Sequence, residues 1–382
     1  MLVIGFSRFT RMRPPRLLAI WLCALLPALV FGQGAAELAP PLPPPASNAP
    51  PPSLQAAADP GYAALIAMCR MPPGRGGGPG RAGGRGPAPA PGPREYTITE
   101  IPGVIAGGQR WKFVWQEAGN NGDGIVGTND GGLLIAQNDN SKVVKLDKNG
   151  KPSVEYADTH TGGSLSISKK GDVFIVQRGL KSGILQLAPR RRQLANSYQG
   201  DPLDCVGGNP NDLSADSKGG VYFTQGSVYY ADPKGTVTKY GDNITPNGII
   251  LSADEKTLYV TNGPTLAAFD IRSDGSLANK REFAKLEGGG NGDGSTIDEA
   301  GRIYVTSNPG VQVIGPDGKY LGIIPSPRPL ISVAFSGANK RTLYVLARGA
   351  KSANGEEVPN AAQVYAIQMV AQGFKGDRKS VV

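Results

Sequence analysis

Histidine and cysteine are scarce: the 382-residue chain has one His and three Cys. Most zinc, haem and iron–sulfur sites need several such ligands and are therefore excluded. No serine nucleophile elbow is present and no phosphate-cradling glycine loop opens a helix, which removes the serine-hydrolase and nucleotide-binding readings. The N-terminal apolar run, residues 17–31, is interrupted by Pro27. At about 15 residues it falls short of the roughly 20 that a membrane span needs. The formal charge of +9 does not mark a nucleic-acid-binding domain either. Residues 1–95 carry nine Arg and three acids, so that stretch supplies +6 and the other 287 residues only +3. A nucleic-acid-binding domain needs its basic residues clustered on the folded surface.

What is present begins with an export signature. Arg8, Arg11, Arg13 and Arg16 precede the apolar run, and small residues follow from Gly32. This order is that of a secretory signal peptide over residues 1–32, with retention as a signal anchor the alternative. Secretion or a periplasmic location is the corresponding expectation, without a stable membrane span. Residues 33–95 hold 16 of the 33 Pro and one aromatic residue, Tyr62. Such a segment buries too little apolar surface to offset the entropy of ordering, and it reads as a disordered Pro/Gly/Ala-rich linker. One island within it, YAALIAMCRM at residues 62–71, has the apolar spacing of a short helix able to dock on the domain. Cys69 of this island and Cys205 form a disulfide or remain two unrelated thiols, and spacing does not choose between them. Residues 371–382 read as a disordered tail.

From Tyr96 the texture is all-β: short β-branched and aromatic runs separated by Gly, Asp, Asn and Lys turns. Six strand cores centre on Leu134, Phe174, Tyr222, Tyr259, Tyr304 and Tyr344, separated by 40, 48, 37, 45 and 40 residues. Such spacing is that of four-stranded propeller blades of about 40–50 residues. A six-bladed β-propeller over residues 96–370 follows, with YTITEI at residues 96–101 as the candidate outer strand that closes the ring. A β-sandwich with long loops is the alternative, but it explains no repeat.

A second regularity sits at one phase of the repeat. Eleven residues before Leu134, Tyr222 and Tyr304 stand Asp123, Asn211 and Asp293, and twelve before Tyr259 stands Asn247. Gly163 and Ser332 hold the matching places in blades two and six. This phase lies at the innermost strand, so the four side chains are expected at one mouth of the central channel. Asp-Gly and Asn-Gly pairs are also ordinary turn formers, which is the plain alternative. Oxygen-only donors at symmetry-related places suit Ca²⁺, with Mg²⁺ or Mn²⁺ as substitutes and Zn²⁺ less natural. His160, three residues before Gly163, is a candidate substrate contact from the blade-two loop or else a solvated turn residue. A third repeated acid, at Asp216, Asp254 and Asp298, reads as a turn residue.

The runs GNPNDLSADSKGGVYFTQ (residues 208–225), TPNGIILSADEKTLYVTN (245–262) and GDGSTIDEAGRIYVTSNPGVQVIGPDGKYLGII (292–324) resemble successive blade motifs of the gluconolactonase/regucalcin, or senescence marker protein, family. The resemblance covers most of residues 110–350. It implies a six-bladed propeller that holds one divalent cation and hydrolyses sugar lactones or related esters. It places metal ligands on Asn247 and Asp293, a substrate or water contact on Asn211, and Asp212 directly after it. Where the family opens blade one with Glu-Gly-Pro, this chain has Asp123-Gly124-Ile125, one methylene shorter. Some relatives hold a sugar acid with an Arg two residues before the blade-three Asn; here that residue is Asn209, which points away from an aldonolactone. The expectation is a metal-dependent lactonase or esterase with Asp293 as general base and a small lactone or ester as substrate. The competing expectation is a non-catalytic propeller that binds a ligand or protein partner around a structural metal. Oligomeric state is left open.

Overall fold

The structure is a computed structural model and describes residues 39–43, 54–70, 92–118 and 122–375. The expected signal peptide, most of the linker and residues 376–382 lie outside the described residues; residues 371–375, expected within a disordered tail, instead dock on the ring, with the Ala371 N–H bonded to the Val104 carbonyl at 3.0 Å and the Gly373 N–H to the Lys340 carbonyl at 2.8 Å. Among those described, no helix is long and apolar enough to cross a membrane.

Six four-stranded antiparallel sheets make up the fold. Their innermost strands are Gly122–Gly127, Gly162–Ile167, Leu213–Ala215, Pro246–Leu251, Ser295–Ile297 and Leu330–Ser336. Each neighbours the next, and the last returns to the first, so the ring is closed around a central channel. The expected strand cores are the second strands: Leu133–Gln137, Val173–Gln177, Val221–Thr224, Thr257–Asn262, Ile303–Ser307 and Thr342–Lys351. Their alternating side chains pack between adjacent blades; Phe174, Tyr222 and Tyr304, for example, are almost completely buried.

Ring closure departs from the expectation. Residues 96–101 form no strand; the outer strand of blade six is Lys112–Ala118, paired antiparallel to the C-terminal strand Glu357–Gln368 from Lys112↔Ala366 to Ala118↔Ala361. The reason is burial. An outer edge strand exposes one face to solvent, whereas Ile98, Ile101, Val104 and Ile105 are all buried in one cluster with Val311, Val313 and Ile324 of blade five and Leu343 and Val345 of blade six. Trp111 completes this wedge: fully buried, it donates its indole N–H to the Pro325 carbonyl at 2.8 Å and its backbone N–H to the Tyr96 hydroxyl oxygen at 3.0 Å.

Glycines at the channel carry the tightest packing. At Gly248 a Cβ would collide with the Asp293 carbonyl of blade five; at Gly124 it would lie 2.7 Å from Ser164 Cα, and at Gly294 2.9 Å from the Ile331 carbonyl oxygen. None of the three has positive φ. Their Asp-Gly and Asn-Gly pairs are therefore not turns but points where neighbouring inner strands touch. The Asp216 and Asp298 carboxylates do sit in turns, and are also buried: each accepts turn N–H groups and a tyrosine hydroxyl, Tyr230 at 2.8 Å and Tyr304 at 2.9 Å.

Parts of the linker stretch dock on the ring. The helix Tyr62–Ala67 buries Leu65, and the adjoining Cys69 is disulfide-bonded to Cys205 with Cα atoms 5.6 Å apart. Upstream, Leu42 is buried against Ala350 and Ala361, its N–H bonded to the Lys351 carbonyl at 2.7 Å.

Two outcomes test this packing. Gly248→Ala lowers stability by about 3 kcal/mol through overpacking, read as a shift in urea midpoint, while Gly107→Ala, which meets only ordinary contacts, leaves the midpoint nearly unchanged. Alkylation of the denatured, unreduced protein followed by mass spectrometry finds Cys69 and Cys205 unmodified; labelling of both would refute the bridge.

Candidate active site at the channel mouth

The innermost strands bring Asp123, Asn211, Asn247 and Asp293 to one end of the channel, each half-buried. Along a strand successive side chains face opposite ways, and Asp123, Asn247 and Asp293 each stand directly before a crowded glycine, whereas Asn211 precedes the buried brace Asp212; Asn211 and Asp293 lie two residues ahead of their inner strands. Asn211 donates its amide N–H to Asn247 Oδ1. A channel of about 180 Å³ along the inner strands is lined by Asp212 and by Ser164, Ser166, Ser214, Ser295 and Ser332, and the four ring residues lie outside its lining.

Arg178 is the residue that sequence reasoning missed. Buried just beyond the end of Val173–Gln177 in blade two, it donates from Nη2 to Asp123 Oδ2, to the Asn211 carbonyl at 2.7 Å and to Asn211 Oδ1 at 2.8 Å. Its Nε donates to the Pro210 carbonyl at 2.9 Å. The guanidinium lies over Gly163, where any Cβ would collide with it. Blade six repeats the device: it too lacks an Asp or Asn in the ring, and its Arg348 brings Nη2 to 4.0 Å from Asp293 Oδ2, more than half exposed. Glycine at the blade-two ring position was the available signal, since a missing side chain in a polar ring leaves room for one from elsewhere.

Asp212 faces inward as a brace. One carboxylate oxygen accepts the Ser164 hydroxyl and the Leu213 N–H at 2.8 Å; the other accepts the Ile249 N–H at 3.0 Å. It thus ties blades two, three and four. Burial pushes its carboxyl up to about 6 against those hydrogen bonds, with the Asp123 charge adding to the rise. Asp293 is pushed up further, to about 7, by burial first and then by Asp123, with Arg348 opposing. His160 is placed differently from the ring: its side chain is exposed and its backbone carbonyl accepts the N–H groups of Arg178 and Gly179 at 3.2 and 3.1 Å.

Among the described residues, no three His, Cys, Asp or Glu side chains converge as a metal-ligating group. A cation at this mouth would depend on the amide oxygens of Asn211 and Asn247 together with the two carboxylates. That donor set fits a hard ion of the Ca²⁺ kind, which takes carboxylate and amide oxygens. An open, uncharged groove of about 400 Å³ adjoins Asn247, lined by Gly226, Ile244, Thr245, Gly263 and Asn291.

A six-bladed ring with oxygen donors at one mouth defines a class, and comparison places the chain within it. The family model described as SMP-30/Gluconolactonase/LRE-like region matches residues 156–348, and the chain belongs to that family. A gluconolactonase from Zymomonas mobilis is 26% identical over 231 residues, covering 51% of this chain and 63% of that protein. The chain thus spans under two thirds of that relative's length. Among solved structures, a gluconolactonase from Xanthomonas campestris superposes with a TM-score of 0.60 at 22% identity, covering 75% of this chain and 99% of that one. Regucalcin from Agrobacterium tumefaciens, described as a calcium-binding protein, gives 0.53 at 20% identity over 66% and 91%. These structural likenesses carry the fold.

Asp212→Asn is expected to lower stability by about 1–3 kcal/mol, because one amide oxygen replaces a carboxylate that accepts three hydrogen bonds and the amide N–H₂ faces donors. Thermal melts of the two proteins measure it.

Proposed function

We propose that the protein is an exported hydrolase that opens a lactone or related cyclic ester at the channel mouth, with one divalent cation, Ca²⁺ first, held by Asp123, Asn211, Asn247 and Asp293. The observation that carries this reading is geometric: Asp123 and Asp293 stand with the bonded amides of Asn211 and Asn247 at one mouth of a closed six-bladed ring, and in the absence of a cation the Asp293 carboxyl is raised to about 7. A general base works best with a pKa near the working pH. Family membership and relatives that carry lactonase names support the reaction class. The order of the N-terminal segment and the Cys69–Cys205 bridge support export to an oxidising compartment.

In this reading Asp293 takes a proton from water as the water oxygen bonds to the ester carbonyl carbon. The carbonyl–ring oxygen bond then breaks, and the proton passes to the departing alkoxide, giving a hydroxy acid. A bound cation supplies electrophilic polarisation of the carbonyl. Asn211 and Asn247 orient the ester through their amides, Asp212 holds the blade-three strand that presents Asn211, and the uncharged groove beside Asn247 receives the rest of a neutral substrate. His160 is assigned a contact with substrate at the blade-two rim.

The test uses a panel of γ- and δ-lactones with Ca²⁺ and with chelator. Asp293→Asn is expected to lower kcat/KM at least 100-fold, a usual scale for general-base loss. The wild-type acidic limb should lie at about 7 or below, since the base works only when ionised; a limb above 8 contradicts the assignment. Stability moves oppositely. A carboxyl whose folded pKa is raised favours the fold below its unfolded pKa, near 4, and that contribution is lost as pH rises through about 7. Asp293→Asn removes the penalty, so the variant melts higher than wild type at pH 8 in chelator while being inactive. Absence of turnover on every lactone, beside tight cation binding, would favour a non-catalytic binding propeller instead.

A further inference from the structure

Resting on the cation reading above, we propose that Arg178 is a resident cation of the mouth that shares Asp123 and Asn211 with the divalent metal, so that metal loading is a displacement of the guanidinium. Four hydrogen bonds hold this side chain, three of them to oxygens of Asp123 and Asn211. Two of the four side chains that would ligate a metal are therefore engaged by a fixed positive charge. The engagement is built in. Gly163 clears the space that the guanidinium fills. The Arg178 carbonyl accepts the Ala56 N–H at 3.0 Å, and its own N–H donates to the His160 carbonyl at 3.2 Å, so the backbone is clamped from both sides.

Charge makes the competition one-sided. Arg178 is buried and pairs with Asp123 through Nη2. Arg348 stands 4.0 Å from Asp293 and is more exposed than buried, so its compensation is weak. The guanidinium thus satisfies one end of the donor set, and a divalent ion satisfies both. A metal that takes all four donors must draw Asp123 and Asn211 Oδ1 away from Nη2, and the lost ion pair is subtracted from its affinity. Removing the guanidinium leaves the half-buried Asp123 carboxylate without its partner, a state that costs free energy and that a bound ion relieves.

Calorimetric titration of Ca²⁺ into decalcified full-length wild type, Arg178→Gln and Arg178→Lys tests this without reference to turnover. Arg178→Gln is expected to bind Ca²⁺ at least tenfold more tightly than wild type, equivalent to about 1.4 kcal/mol, with Arg178→Lys between them. Equal or weaker binding by Arg178→Gln, with wild type binding, overturns the displacement and leaves the cation reading standing. Absence of binding by wild type and both variants overturns the cation reading and the displacement with it. Should Arg178→Gln fail to fold, the wild-type chain supplies a second readout. The Nε–H resonance of Arg178, assigned by its loss in Arg178→Lys, shifts as Ca²⁺ saturates; a resonance unmoved by bound Ca²⁺ overturns the proposal.

Discussion

Six innermost strands converge on one axis so closely that a methyl group does not fit between them at several points, and the rest of the molecule follows from that crowding. Gly124, Gly248 and Gly294 are the contact points. Strands this near one another also leave backbone N–H groups with no ladder partner on the channel side, and buried donors must be paired. Side chains of the neighbouring blade supply the acceptors: Ser332 Oγ to Ile125 N at 3.2 Å, Ser166 Oγ to Ala215 N at 3.0 Å, Ser214 Oγ to Leu251 N at 3.2 Å and Asp212 Oδ2 to Ile249 N at 3.0 Å. The serine-lined channel is thus a consequence of closing the ring.

The same crowding sets the chemistry of the mouth. Asp123, Asn247 and Asp293 each stand directly before a contact glycine, so polar groups from different blades are held within reach of one another. Carboxylates brought together in this way raise one another's pKa. Asp293 and Asp212 are both displaced upward, and in each case burial is the larger cause and Asp123 a contributor. Their environments differ in what they offer. Asp212 spends both oxygens on backbone and hydroxyl donors and serves as a brace, whereas Asp293 faces a half-exposed arginine at 4.0 Å and keeps oxygen free for a reacting group.

Local pattern and period carried most of the fold. The six strand cores recur at blade spacing because every blade repeats the same inner-strand and second-strand geometry, and the Asp and Asn at one phase recur for the same reason. Features that depend on contacts between distant segments were not legible. Residues 96–101 alternate as a strand does, yet Lys112–Ala118 is the segment that pairs with the C-terminal strand, while Ile98 and Ile101 are buried in the wedge between blades five and six and Thr97, Thr99 and Glu100 stay exposed. Arg178 lies outside the ring phase and 55 residues from Asp123, so no spacing rule connects them. The Asp-Gly pairs were open to a turn reading because sequence does not distinguish a glycine needed for positive φ from one needed for close approach.

The segment at residues 54–70 gains a physical role from this network. Its Ala56 N–H bonds the Arg178 carbonyl, and Leu54 accepts the Thr161 hydroxyl at 3.1 Å, both on the blade-two rim. Cys69 is bonded to Cys205 within the turn Leu203–Val206, just ahead of the blade-three residue Asn211, and Arg70 pairs with Asp201 at 3.0 Å. Arg178 and Asn211 are the two partners at the centre of the mouth network, and they come from different blades. One short segment braces the backbone of the first directly and, through a covalent bridge, the approach to the second. A disulfide 136 residues apart in sequence removes much of the unfolded chain's freedom, and here it does so at the seam between the two blades that supply the guanidinium and its acceptor. Precision at the mouth is therefore supported from outside the ring as well as by the crowding within it.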